Sequence, residues 1–501
     1  MKKLFCATFE GLEAKMVSVE ATLTKGLPSF NIVGMASQSI SESKERVKSA
    51  LLSNDFNFPP KRITINLSPS DLKKEGSQFD LGIALLIALN SSDSKLEEYA
   101  IFGELGLDGS VKENSLLFAL MLSLANQGLI TQAIVPFESL HKLTNIPHVK
   151  FLGVKHLNEA ISIFKEGNES FTCKAKSIDY PSLHVKDKSY YFVEEYPFDF
   201  QDVRGQEVAK RAALIAAAGM HNLLLEGSPG SGKSMIAKRL RYILPPVSSS
   251  ELLDIAKLES FDGKEPNFSP LRPFRSPHHS STAASIFGGG SHNAKIGEVG
   301  LAHRGILFFD ELPHFSKPVL EALREPLEDK HIRISRVNSK ITYDTDFLFV
   351  SAMNPCPCGN LLHSQLECRC SDLEVQRYKN RLSDPFLDRI DLYVQMQNVS
   401  PKDKSSVDSK GLHIRVREAY LRQMERGQSC LNGSLEDGEI EKYCSLKDEV
   451  QTILDQAIMR FALSFRSIKK IQKIAQTIAD IENSDVIEKS HLLEALSYRR
   501  R

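Results

Sequence analysis

Short apolar runs alternate with stretches of helical spacing along most of the chain, and the period changes mark the elements. Ile63-Thr64-Ile65-Asn66-Leu67 reads as a strand, while residues 39–52 and 79–89 carry the helical pattern. Ala133-Ile134-Val135-Pro136 and Val149-Lys150-Phe151-Leu152 read as later strands, which predicts a mixed α/β domain over residues 1–165. Periodicity fades over 166–198, where Gly167-Asn168-Glu169-Ser170 and a polar, charged run predict a linker. An Ala-rich helix over 208–218 then leads to the buried strand Asn222-Leu223-Leu224-Leu225-Glu226 and a helix over 235–244. Further buried strands at 306–309 and 347–353 complete an α/β core over 199–398, and residues 399–501 read as helical throughout.

The chemistry sits where that first core strand ends. Gly227-Ser228-Pro229-Gly230-Ser231-Gly232-Lys233-Ser234 fits the phosphate-binding pattern G-x-x-x-x-G-K-[ST] at every fixed position. Strand, glycine loop and helix follow in the order the motif needs, because backbone N–H groups must wrap phosphate oxygens at a helix N-terminus. Lys233 is expected on the β- and γ-phosphates and Ser234 on Mg²⁺, which makes ATP and Mg²⁺ the expected cofactors. Hydrolysis needs carboxylates, a γ-phosphate sensor and a cation as well. Ile306-Leu307-Phe308-Phe309-Asp310-Glu311 ends in two acids: Asp310 for the Mg²⁺ shell and Glu311 for the attacking water. Asn354 closes the strand at 347–353 and is the expected γ-phosphate sensor. Arg389 is the first candidate for an arginine finger and Arg381 the second, with surface ion pairing as the alternative for either.

Composition narrows the partners. Lys+Arg 63 balances Asp+Glu 63, so any nucleic-acid contact must come from local basic patches. The longest apolar run, 81–89, is too short to cross a bilayer, and Glu10 and Glu13 interrupt any signal-peptide core, so the expectation is a cytoplasmic protein. Four of the eight cysteines cluster as Cys356-x-Cys358 and Cys368-x-Cys370. They form either a closed Zn²⁺ site or two pairs of reduced loop thiols, and the C-x-C spacing does not decide between them.

Two family resemblances add to this reading. The turn Lys73-Lys74-Glu75-Gly76-Ser77-Gln78 and the later Gly103-Glu104-Leu105-Gly106-Leu107-Asp108-Gly109 resemble the Lon protease domain, whose turn is followed by a nucleophilic serine. Gln78 stands at that position here, the expected downstream lysine is absent from 116–127, and an amide is no activated nucleophile, so the domain is expected to lack the chemistry. Arg275-Ser276-Pro277-His278-His279, Gly288-Gly289-Gly290, residues 297–305, Leu323-Arg324-Glu325-Pro326-Leu327-Glu328 and Asn354-Pro355-Cys356-Pro357-Cys358-Gly359 resemble the magnesium-chelatase-like AAA+ family, in its YifB/ComM branch.

That resemblance implies an α/β architecture: a Lon/S5-like α+β N-terminal domain, a P-loop AAA+ core and an all-helical C-terminal lid. It also implies a homo-hexameric ring that hydrolyses ATP to drive branch migration of DNA in recombination and natural transformation. In such rings Arg389 would face the neighbouring subunit's ATP, and Arg466, opening a tail helix, resembles the cis-acting second sensor. The basic hairpin around Asn338-Ser339 would project into the pore and bring Arg336 and Lys340 to phosphates; a solvated, charge-protected edge accounts for the same residues. An ATP-dependent peptidase and a chelatase-type motor on a protein partner are the competing functions.

Overall fold

A computed structural model describes residues 2–90, 92, 94–167, 179–289, 295–335, 340–363, 365–399 and 403–499. The chain divides into two compact units, residues 1–179 with 256–268, and residues 180–255 with 269–501.

The first unit is built on a seven-stranded mixed sheet. Its order is Ser29–Val33, Arg62–Ser68, Glu13–Thr24, Lys2–Glu10, Ala100–Ile101, Gln132–Pro136, Lys150–Val154. The hairpin of Lys2–Glu10 and Glu13–Thr24 runs from Lys2 opposite Ala21 to Glu10 opposite Glu13, and Gly11 at φ 67° supplies the left-handed turn. The helix Asp80–Ala88 is apolar on every side after Asp80 and is buried on every side. Asp80 is itself buried, and Arg46 Nε at 2.6 Å supplies the pairing that such a carboxylate requires.

The second unit holds the predicted core. Five parallel strands lie in the order Phe274–Arg275, Ile306–Phe309, Leu348–Met353, Leu223–Glu226, Leu392–Gln395. Counted along the chain they read 5-1-4-3-2 from one edge. Strand Leu223–Glu226 has parallel neighbours on both sides and helices over its faces, which is why Leu223, Leu224 and Leu225 form an unbroken apolar run. Helix Glu207–Gly219 buries its alanines, which lets its backbone come close to the sheet. The C-terminal part is helical as expected: Ser409–Glu425, Asp437–Tyr443, Asp448–Phe461, Phe465–Ile481 and Lys489–Ser497. Helix Phe465–Ile481 buries Ile471, Ile474, Ala475 and Ile478, the i, i+3, i+4, i+7 stripe of a core-facing helix.

The stretch read as a linker is partly structured. Ser182–Val185 and Lys188–Tyr191 form a hairpin whose second strand pairs with Val247–Ser248 of the second unit. Its alternation is short and mostly polar, too weak to stand out as a strand signal in the sequence. The helix after the glycine loop starts earlier than expected, at Lys233, directly after Gly232 at φ 94°, and its α-helical part ends at Leu240, where a 3-10 turn over Arg241–Ile243 takes over. Among the described residues, no helix is long and apolar enough to cross a membrane.

Candidate functional site

Strand register brings the candidate ATPase residues to one edge of the parallel sheet. Glu226 lies opposite Met353, and Phe309 opposite Ser351, so the glycine loop, Asn354 and Asp310 all emerge from neighbouring strand ends. Lys233 Nζ donates to the carbonyls of Gly227 at 2.6 Å and Ser228 at 3.0 Å, and to Asn354 Oδ1 at 3.1 Å. Burial lowers the Lys233 pKa, and the charges of Asp310 and Glu311 oppose that fall. Ser234 Oγ donates to Asp310 Oδ2 at 2.7 Å, and the Glu311 backbone N–H donates to Asp310 Oδ1 at 3.0 Å.

These residues fit a nucleotide and its metal. Gly230 and Gly232 hold φ values of 78° and 94°, the left-handed conformation that turns successive N–H groups into one concave face. The hydroxyls of Ser228 and Ser231 are buried in the loop and have no hydrogen-bond partner among the described residues. Buried polar atoms are normally satisfied, so orphaned donors inside a phosphate-type loop are the signature of a missing acceptor. A hydroxyl beside a carboxylate at Ser234 and Asp310 is the oxygen donor set a small hard cation takes.

Several residues around this edge escape a motif-by-motif reading. Gln206 Nε2 donates to the Ser231 carbonyl at 3.0 Å and clamps the loop to the Gln397 carbonyl at 2.6 Å. His279 Nδ1 lies 3.5 Å from Glu311 Oε2, and its ring lies 4.1 Å from that of His278. Glu311 has φ 53°, uncommon for a residue with a side chain and concentrated at functional sites. The sequence signal for His279 was the motif Arg275-Ser276-Pro277-His278-His279, to which spacing alone gave no role.

Arg389 and Arg466 lie elsewhere. Asn222 precedes strand Leu223–Glu226, and its side-chain amide donates to the Arg389 carbonyl at 2.9 Å, so Arg389 sits at the strand end opposite the glycine loop. The Arg389 guanidinium is buried and bonds Glu328 and the Pro385 carbonyl. Arg466 Nη2 donates to the other oxygen of the same Glu328 at 2.8 Å. One turn further on, Lys470 donates to the carbonyls of Asp388 and Ile390. The expectation that Arg466 acts in cis therefore fails on placement: the lid helix docks beside Arg389, away from Lys233. Arg381 is exposed and donates to the Pro313 carbonyl at 3.3 Å, just after the Asp310-Glu311 pair.

The four clustered cysteines do come together. Their sulfurs all lie within 4.8 Å of one another, with Cys356–Cys358 at 3.4 Å, Cys356–Cys368 at 3.7 Å and Cys358–Cys368 at 3.6 Å. Tetrahedral Zn–S bonds of about 2.3 Å require S···S separations of about 3.8 Å. The backbone N–H groups of Asn360 and Arg369 hold the Cys358 thiol down to about 6.

In the first unit Gln78 is buried, and its amide is committed to the carbonyls of Glu75 at 2.9 Å and Ala7 at 3.1 Å. Ser77 donates instead to Glu104. The basic hairpin is present as His331–Ser335 paired with Lys340–Asp344. Arg336 lies outside the described residues, as does Gly290, and of Lys340 only the backbone is described.

Known families match along nearly the whole length. Residues 19–139 match the family described as subunit ChlI of magnesium chelatase. Residues 199–404 match magnesium chelatase, subunit ChlI, and 406–499 match its C-terminal family. The chain is 39% identical to the uncharacterized protein YifB of Salmonella typhimurium, over 98% of this chain and 95% of that one. It is 37% identical to competence protein ComM of Haemophilus influenzae over the same shares. The magnesium-chelatase 67 kDa subunit of Heliobacterium mobile is 23% identical over 38% of this chain and 35% of its own. With relatives this similar from end to end, the chain belongs to the YifB/ComM family of magnesium-chelatase-like AAA+ ATPases.

Proposed function

We propose that this protein is an ATP-driven motor that assembles as a homo-hexameric ring in the cytoplasm and moves branched DNA. The observation that carries the ATPase half is the convergence of Lys233, Ser234, Asp310 and Asn354 at one sheet edge. Lys233 and the loop N–H groups bind and orient the phosphates, and Asn354 reads the terminal one. Glu311 draws a proton from the attacking water. A Mg²⁺ held through Ser234 and Asp310 would neutralise phosphate charge. Arg389 and Arg466, at the opposite strand end, suit a neighbour's nucleotide better than this chain's own, which is support for a ring.

The DNA half draws on the competence protein among the relatives and on the paired strands His331–Ser335 and Lys340–Asp344 with the basic residues of that stretch. Branch migration in recombination and natural transformation is the specific task. The four cysteines are read as a closed structural zinc centre, since they leave no open ligand position. The test measures ATP hydrolysis with and without a four-way DNA junction, and junction unwinding under the same conditions. Stimulated hydrolysis with unwinding supports the motor. Robust hydrolysis indifferent to any DNA would favour a chelatase-type motor acting on a protein.

A further inference from the structure

Two residues flanking the clustered cysteines, Asn354 and Gly359, reach the nucleotide loop. Cys356 follows Asn354 by two residues, and Asn354 Oδ1 bonds Lys233 Nζ at 3.1 Å. On the other side of the cluster, the turn after Cys358 places Gly359 against Pro229, in the middle of the glycine loop. A Cβ at Gly359 would stand 2.5 Å from Pro229 Cδ and 2.7 Å from its Cγ, and φ there is 80°. Only glycine permits both that conformation and that approach. Gly359 also closes a turn on Cys356, donating its N–H to the Cys356 carbonyl at 3.0 Å.

The turn belongs to no regular element, and a few local hydrogen bonds, such as Asn398 Nδ2 to the Leu362 carbonyl at 3.0 Å, hold it. Cys358, Cys368 and Cys370 are partly exposed, and among the described residues in 356–370 no strand or helix is formed. Four ligands to one ion would supply the missing rigidity. Such an ion would tie 356–358 to 368–370, and helix Asp372–Lys379, with its Ser371–Glu374 capping box, anchors the far end.

We propose that the four-cysteine centre is a zinc-class metal site that controls nucleotide affinity, by holding Gly359 against Pro229 and Asn354 against Lys233. This rests on reading the cluster as a zinc centre. Metal loss would free the turn, and the glycine loop would lose one wall and its sensor. The coupling is allosteric in the strict sense: metal and nucleotide occupy different sites, and each must raise affinity for the other.

The full-length protein, purified in reductant without chelator, is assayed for zinc by elemental analysis and for binding of a fluorescent ADP. It is then stripped with a high-affinity zinc chelator, checked for retained helix content, and reloaded. The expected results are about one zinc per chain, and a loss of ADP affinity of about fivefold or more on stripping, reversed by Zn²⁺. Gly359→Ala should keep its zinc yet bind ADP as poorly as the stripped protein. A zinc-free protein that takes up no zinc rejects the metal reading and the coupling with it. A zinc-loaded protein whose ADP affinity survives stripping rejects the coupling alone. Normal ADP binding by Gly359→Ala would reject the Gly359–Pro229 contact as the route. Cys358→Ser with Cys370→Ser should carry no zinc and bind ADP as poorly as the stripped protein, and should it fail to fold, the chelation and reloading arms still decide.

Discussion

Glu311 and Lys233 separate turnover from binding. Glu311→Gln keeps the side chain's shape but removes the base, so hydrolysis should fall by about 10²–10⁴ with ATP still bound. Near-normal turnover in this variant would move the base elsewhere, with His279 at 3.5 Å the first place to look. Lys233→Ala removes a charged donor, worth about 1.5–3 kcal/mol of binding, so the ATP Kd should rise roughly ten- to hundredfold. An unchanged Kd would argue against the loop as the nucleotide site. At this scale the sequence was most legible where chemistry fixes both residue type and spacing. Lys233, Ser234, Asp310 and Asn354 meet as their motifs implied. No role was legible for Gln206, nor for Glu328 although it closes the motif 323–328, because a single clamp or bridge carries no pattern; only folding brings Glu328 to Arg389 and Arg466.

Elements tell the arginine story. Helix Phe465–Ile481 carries Arg466 to the strand end where Arg389 sits, and Glu328 holds both guanidiniums. The order of motifs along the chain could not show this, because an arginine near a helix start is compatible with either end of the sheet. If Arg389 completes a neighbour's site, Arg389→Ala should bind ATP normally but hydrolyse it slower by about 10³–10⁵. Mixing it with Glu311→Gln should recover activity, since some interfaces then pair an intact Glu311 with an intact Arg389. Verified mixed rings that stay inactive would assign Arg389 a structural role and leave the exposed Arg381 as the finger candidate. Strand elements were read well where burial on both faces gave continuous apolar runs, as at Leu223–Glu226 and Leu348–Met353. The hairpin at 182–191 was missed because its residues are polar and only half-buried.

Over the whole molecule, three histidines set an acid limit. Burial pushes His221, His303 and His413 down to about 4, and each has a neutral partner: Thr477 Oγ1 at 2.7 Å, the Asp346 N–H at 3.0 Å and Tyr196 Oη at 2.9 Å. Above about pH 6.5 these rings are neutral folded or unfolded. Between that pH and about 4 the unfolded chain takes up the protons first, so stability falls as pH falls, by up to roughly 3 kcal/mol per ring. The apparent Tm should therefore drop between pH 7 and 5, before most carboxylates titrate. A flat Tm across that window would mean that the rings are reached by water.

The chain path has a consequence for anyone who would cut the protein in two. Residues 256–268 leave the ATPase unit, return to it, and in between belong to the first unit. There Phe261 meets Phe9 at 5.2 Å, Phe268 meets Phe118 at 5.4 Å, and Glu265 bonds Lys142 at 3.0 Å. The first unit is thus discontinuous in sequence, and no single scissor point releases it whole. A fragment starting at Tyr180 would strand two phenylalanines in water, while one ending at Asp179 would lack the cap over Phe9 and Phe118. A truncation meant to keep the first unit intact must therefore supply residues 256–268 as a second piece or splice them to its own chain.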